Sequence, residues 1–264
     1  KNLLRIWVKN GMPEGDASQL PEPPKFVQGW RIPEPDQVIY VREEPFKVPS
    51  EGIVDYQYFS VDPSWTEDKY VSAAEARPDN VPVVHHIIAY VIPPGSDGRK
   101  GQDRRMLVGY APGSDPSVLT DGIAMFVPAG SKLVFEMHYT PNGSEQVDRS
   151  YIGLKFMNKE DVKKQLRGGA AINTKFEIPA EAGNHLVEAD YHSRRDELLL
   201  EITPHMHLRG KSFRYEAFYP DGRSEVLLDV PNYDFNWQLS YQLTEPKLLP
   251  KGTRIHCSAR FDNS

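Results

Sequence analysis

Residues 127–144 read VPAGSKLVFEMHYTPNGS, a run of alternating apolar and polar side chains held between two turns. Pro128 and Gly130 open it and Pro141, Asn142 and Gly143 close it, residue types that set turn backbone and interrupt hydrogen-bond ladders. Taken as a strand, it puts Leu133, Phe135, Met137 and Tyr139 on one face and Val134, Glu136 and His138 on the other. The spacing predicts a half-buried β-strand with His138 opposite its apolar face.

The same grammar recurs along the chain. From PDQVIYV near residue 35 to SYIGLKFM near residue 157, β-prone runs alternate with the turn clusters PPGSDGRKG, APGSDP, VPAGS and TPNGS, which predicts a sandwich of about eight strands within 35–165. NKEDVKKQL, 158–166, reads as a short helix, and Gly168 and Gly169 suit a boundary. A second β series follows through KFEIPA, DELLLEITPHMHL, SFRYEAFYPDG, EVLLDV and TRIHCSARF, predicting a second sandwich over 166–264. With 23 prolines, 19 glycines and little sustained helical periodicity, the expected class is all-β, two sandwiches in tandem. VPAGSKLVFEMHY and LPKGTRIHCSARF share a Pro-X-Gly turn before a long strand, as if the halves were built alike.

The ends read differently. Leu3, Leu4, Trp7 and Val8 lie at helical spacing and are followed by the Gly/Pro/acidic stretch GMPEGDASQLPEPPKF, so 1–34 is expected to be the end of a preceding helical segment plus a linker. CSARFDNS stops in what reads as a strand entering a turn, and the second sandwich is expected to be incomplete at its C-terminus.

Composition excludes several classes. The 264 residues are 39% hydrophobic, enough for a packed core, and the net charge of -6 with dispersed Lys and Arg argues against nucleic acid as a partner. No apolar run approaches the ~20 residues that span a bilayer as a helix. Cys257 is the single cysteine, so neither an intrachain disulfide nor a cysteine metal cluster is expected.

Histidine placement carries the chemistry. VVHHIIAYV, 83–91, sets His85 beside His86 in an apolar run, yet successive strand side chains point to opposite faces. Either one is a hydrogen-bonded core histidine, or the strand bends so that both reach one target. In LLLEITPHMHL, 198–208, a single strand would put Leu198, Leu200, Ile202, Pro204, Met206 and Leu208 on one face and Leu199, Glu201, Thr203, His205 and His207 on the other. Imidazoles at i and i+2, ~7 Å apart along a strand, can converge on one ion, while Met206 points away into the core. His185, His192 and His256 are read as ordinary surface or core histidines. His85, His86, His138, His205 and His207 form the candidate metal set, and imidazole alone suits zinc, copper, iron or nickel. Three histidines with an open position would suit a zinc-dependent hydrolase, whereas five divided between the halves suggest two facing sites.

VVHHIIAYV, FEMHYTPNG and PHMHLRGK, in that order, resemble the ligand motifs of the copper type II, ascorbate-dependent monooxygenases, typified by peptidylglycine alpha-hydroxylating monooxygenase and dopamine beta-monooxygenase. The resemblance spans about residues 35–264 and is greatest to bacterial secreted relatives, in which a cytochrome-like segment precedes the copper domains; no CxxCH stands in this chain. It implies two jelly-roll-type β-sandwiches and two copper ions. His85, His86 and His138 match the electron-donating copper site, and His205 and His207 match two of three ligands of the oxygen-binding, catalytic copper. The implied activity is hydroxylation of an aliphatic C–H with dioxygen and a one-electron reductant such as ascorbate, in an extracytoplasmic setting.

Two departures qualify what is implied. Peptide-hydroxylating members carry an arginine for the substrate carboxylate where this chain has Thr203, so a substrate other than a peptide C-terminus is expected. The family's methionine ligand follows the strand matching IHCSARF, but Met12, Met106, Met125, Met137, Met157 and Met206 all precede His207, so the third ligand is expected beyond Ser264. The alternatives are a non-catalytic metal-binding or structural β-sandwich protein and the zinc-dependent hydrolase.

Overall fold

The computed structural model describes residues 2–23, 27–98, 104–120, 122–235, 237 and 239–264. Strands make up 44% of it and helix 6%, in several open sheets, as an all-β chain requires. The first half holds β1 (Gln37–Tyr40), β2 (Phe46–Val48), β3 (Gln57–Val61), β4 (Lys69–Arg77), β5 (Val84–Ile92), β6 (Arg105–Tyr110), β7 (Ser117–Val118), β8 (Ile123–Val127), β9 (Lys132–Tyr139), β10 (Gln146–Asp148), β11 (Tyr151–Phe156) and β12 (Lys164–Leu166). The expected eight strands are thus divided into more and shorter pieces, because ladders break at bulges and short turns that composition does not mark.

One sheet runs β1-β11-β4-β8-β12, with β7 also on β4; a second runs β3-β9-β5-β6; β2 and β10 pair separately. Ile87, Ala89, Leu133, Phe135 and Met137 from the second sheet meet Ile152, Leu154, Ala74 and Val71 from the first in one buried cluster. Two sheets therefore face each other across a common core, and each fully buried aliphatic or aromatic side chain there contributes about 1.5–3 kcal/mol. The alternation read in 133–139 is realised: Leu133, Phe135, Met137 and Tyr139 are buried, while Val134, Glu136 and His138 are partly exposed.

The stretch NKEDVKKQL is not a helix. It makes a 3₁₀ turn at Lys159–Asp161 and then β12, which lies parallel to β8 with Gln165 opposite Ala124. The open edge of β8 offers a ladder that outweighs local helix propensity, and Gly122 lets the chains approach. Lys163 N–H donates to the Gly122 carbonyl at 2.8 Å, and a Cβ at this positive-φ glycine would sit 2.9 Å from the Asp161 carbonyl oxygen.

The opening helix α1 (Asn2–Lys9) forms as expected, with every residue exposed. Within the linker only the 3₁₀ turn Ala17–Gln19 is regular; its positions 24–26, and positions 99–101 of the predicted turn PPGSDGRKG, lie outside the described residues. Trp30 already packs on the first sheet, where Gly153 leaves room for its ring and the Arg77 guanidinium lies over it at 5.0 Å.

The second half holds β13 (His185–His192), β14 (Glu197–Ile202), β15 (Gly210–Phe218), β16 (Ser224–Val230), β17 (Tyr241–Leu249) and β18 (Arg254–Phe261). They form a four-stranded sheet, β13-β18-β15-β16, and a two-stranded one, β14-β17. Ala217, Tyr219, Leu249, Ile255 and Cys257 make one buried cluster between them, and Val187, Met206, Ala259 and Phe261 another. Among the described residues, the first-half cluster draws only on residues 39–156, and the other two only on 171–261.

The single-strand reading of LLLEITPHMHL is corrected in two places. The β14 ladder breaks between Leu199 and Glu201, where the partner jumps from Lys247 to Gln242 across Pro246, which has no N–H to give. Leu199 consequently packs on the core and Leu198 is 40% exposed, the reverse of the predicted faces, while Ile202 is buried. The strand then ends at Ile202, ahead of Pro204, so His205 and His207 lie on the segment joining β14 to β15. Alternation nevertheless continues without a ladder: Pro204 and Met206 are buried, Thr203, His205 and His207 exposed; Leu208, predicted to face inward, is exposed.

Candidate metal centre

The adjacent histidines are resolved by a β-bulge. Along β5 and β9 the register is regular from Ile92 opposite Lys132 to His86 opposite His138, but the next pair is Val84 opposite Tyr139. His85 is the extra residue. A bulge of this kind bends the strand and re-aims side chains, which lets consecutive residues turn toward one point. Pairing resumes beyond it, since Thr140 N–H donates to the Val83 carbonyl at 2.8 Å.

The three rings gather. Ring centroids lie 4.8 Å apart for His85 and His138, 5.1 Å for His86 and His138, and 5.5 Å for His85 and His86. His85 Nδ1 and His86 Nδ1 are 3.3 Å apart, and one nitrogen from each of the three rings lies within 4.8 Å of the other two. Two ligands at ~2.0–2.1 Å from a tetrahedral ion are about 3.3 Å apart. The adjacent pair already has that spacing through Nδ1, and the set as a whole lies within 4.8 Å.

The surroundings keep two of the rings unprotonated. Burial, with His138 and His85 close by, lowers the His86 pKa to about 4; burial and the neighbouring His85 lower that of His138. Both are therefore neutral near pH 7, the form in which imidazole binds metal. His86 Nε2 and His138 Nδ1 are buried without a hydrogen-bond partner. An unmet buried polar atom costs about 1–3 kcal/mol, and a metal, or the ordering of the rings around one, is what this donor set suits.

Tyr56, which the sequence reading did not single out, completes the surroundings. Just before β3, its ring stacks on His138 at 4.7 Å and 18° and tilts toward His86 at 5.5 Å, while it remains 48% exposed. It lies two residues before Tyr58, which is opposite Glu136 on β9, and hence one step along the face of His138.

The second predicted pair is arranged differently. His205 and His207 have ring centroids 5.1 Å apart at 84°, and both are exposed. Between them Met206 is 3% exposed and packs with Val187, Ala259 and Phe261, as its place in the alternation predicts. Tyr233, also unanticipated, fixes this backbone: its hydroxyl accepts from Met206 N–H at 3.0 Å and donates to the Met206 carbonyl at 2.8 Å. Thr203 Oγ1 lies 2.7 Å from Ser240 Oγ, and Tyr215 Oη donates to the Thr203 carbonyl. Among the described residues, the gathering of three or more histidine, cysteine or carboxylate ligands is that of His85, His86 and His138.

The remaining histidines stand apart from these groups. His256 on β18 lies between Asp190, 2.8 Å from Nδ1, and Glu188, 3.0 Å from Nε2, a satisfied histidine as expected. His185 and His192 are the end residues of β13. Compared with models of known protein families and with curated proteins, the chain matches none at a significant level.

Proposed function

We propose that this chain is the core of a copper-dependent monooxygenase that hydroxylates an aliphatic C–H with dioxygen and a one-electron reductant such as ascorbate. In this reading, residues 35–165 and 166–264 are two jelly-roll-type domains of an extracytoplasmic protein. His85, His86 and His138 hold the electron-donating copper, and His205 and His207 contribute to the oxygen-binding one. The observation that carries the proposal is the convergence of three imidazoles at the β5 bulge, because such a distortion brings all three to where one ion could be held. Imidazole ligands alone do not choose among zinc, copper, iron and nickel; the choice of copper comes from the resemblance of the ordered His-His, His-Tyr and His-X-His motifs to those of the copper type II monooxygenases.

Bound copper would supply one-electron chemistry and dioxygen activation. The chain's own residues do the rest. The bulge orients His85 and His86, burial keeps His86 and His138 unprotonated, and Tyr233 with the buried Met206 side chain holds the backbone that presents His205 and His207 outward. Beside them, the Thr203 and Ser240 hydroxyls offer neutral hydrogen bonding in place of a cationic carboxylate clamp, which favours a small substrate without a carboxylate.

Copper titration of the purified chain, followed by electron paramagnetic resonance, tests the proposal. Two equivalents are expected, with His86→Ala or His138→Ala losing one and His205→Ala or His207→Ala losing the other. With the third ligand expected beyond Ser264 supplied, ascorbate and oxygen should support hydroxylation within a panel of small C–H compounds and His205→Ala should abolish it, whereas residues 1–264 alone should hold the second copper weakly and be nearly inactive. With that ligand supplied, one equivalent held by the bulge histidines and no hydroxylated product would make this a metal-binding protein; a zinc ion held by all five histidines would favour the hydrolase.

A further inference from the structure

We infer that Tyr56 is a positioning residue of the three-histidine centre, its ring standing in for the hydrogen bonds that ordinarily fix metal-binding imidazoles. The inference rests on the metal-binding reading of that centre. A metal-bound histidine usually donates its second ring N–H to a carboxylate, a backbone carbonyl or water, and this bond sets the ring's rotation. Among the described residues, His138 makes no such hydrogen bond, and His86 has only the Nδ1 contact to His85. The torsion that turns an imidazole about its Cβ–Cγ bond is broad, so something else must hold these two rings.

The two rings that carry a buried nitrogen without a hydrogen bond are the two that Tyr56 touches. Its near-parallel stack on His138, 18° between planes at 4.7 Å, covers one face of that ring, and it also meets the His86 ring at 5.5 Å and 45°. Offset-stacked and tilted aromatic pairs at these separations are favourable beyond the area they bury. Among the described residues, the other aromatic group on the same sheet face, Tyr90 with Arg104 stacked on it at 3.6 Å, does not pair with the histidine rings. Tyr56 is also absent from the buried core clusters and half exposed, so its replacement does not dismantle the sandwich.

The test is chelator-competed Cu(II) titration of the full chain with Tyr56→Phe, Tyr56→Leu and Tyr56→Ala, read together with the copper electron paramagnetic resonance spectrum and thermal stability. Outer contacts of metal ligands typically govern affinity by about 10–100-fold. Tyr56→Ala should weaken binding at the three-histidine centre by about tenfold and change the copper hyperfine splitting, with the melting temperature held within about 2 °C of wild type. Tyr56→Phe keeps the ring and should restore both affinity and spectrum; Tyr56→Leu fills space without a π-face and should not. Wild-type affinity and spectrum in Tyr56→Ala would overturn the inference while leaving the centre intact, and full rescue by Leu would reduce the residue to simple covering. A wild-type chain that binds no copper through His86 and His138 would instead overturn the centre itself.

Discussion

The two histidine groups are built on opposite plans. His85, His86 and His138 sit on paired strands, with two of the three rings partly buried and buried nitrogens left unmet. His205 and His207 project from an unpaired segment, both exposed, with their orientation set by a buried methionine and a tyrosine clamp beneath them. The first group has its ligand geometry fixed by a ladder, and the second borrows it from an anchor. A preorganised set loses less conformational entropy when it closes on an ion, whereas exposed side chains must be ordered at that moment. The first centre should therefore bind metal more tightly, and its loss should be governed by strand register.

The largest effect follows from removing the bulge. Deleting His85 lets Val84 and His86 occupy consecutive rungs opposite Tyr139 and His138 without the extra residue. The core faces of β5 and β9 keep their parity, so the fold should survive, but one ligand is gone and the strand no longer bends. Copper affinity at this centre is expected to fall by about 100-fold or more, with the His205 and His207 site unchanged. His85→Ala provides the control, since it removes the imidazole and keeps the bulge. If the deletion unfolds the chain while His85→Ala leaves it stable, the bulge serves packing first, and the contrast between the two groups weakens.

A smaller effect belongs to the anchor beneath the second group. Tyr233→Phe removes one hydroxyl that both accepts from and donates to the Met206 backbone, leaving two polar groups to find water. The expected cost is about 1–2 kcal/mol of stability, seen as a lower denaturant midpoint with the slope unchanged. Metal bound through His205 and His207 should weaken with it, and the bulge centre should not respond. Equal weakening at both centres would show that the two are coupled.

Sequence periodicity reached these two regions unequally. The 133–139 strand was legible because a regular ladder preserves parity, and every predicted inward side chain there is buried. The doubled histidine was legible only as a conflict. Its resolution is written in the spacing of inward residues, since Ile87, Ala89 and Val91 keep a period of two and Val84 does not. The 198–208 stretch failed because a single-strand reading assumes one register, and the break opposite Pro246 reverses the face of Leu198 and Leu199 without any local mark. Tyr56 and Tyr233 left no usable cue, because each acts across the fold on residues far away in the chain. NKEDVKKQL shows the same limit, where a free strand edge decided what composition could not.

The smallest of the expected effects is a pH slope that belongs to the bulge centre in its metal-free form. In the unfolded chain a histidine takes up a proton near pH 6.5, but in the folded chain burial and neighbouring imidazoles hold His86 down to about 4, and His138 is lowered in the same direction. Between those values the unfolded state binds protons that the folded state refuses, so stability is fully present above about pH 6.5 and declines as pH falls toward 4. Because both rings are partly open to solvent, the decline assigned to the pair is only about 1 kcal/mol. Urea unfolding of metal-free protein at intervals between pH 7 and pH 4, with His86→Gln/His138→Gln as the comparison, isolates it, since glutamine does not titrate. The double variant should show a flatter dependence over that interval. An unchanged slope would mean that these imidazoles accept protons in the folded chain as readily as in the unfolded one, and that they are too well solvated to form the preorganised half of the comparison.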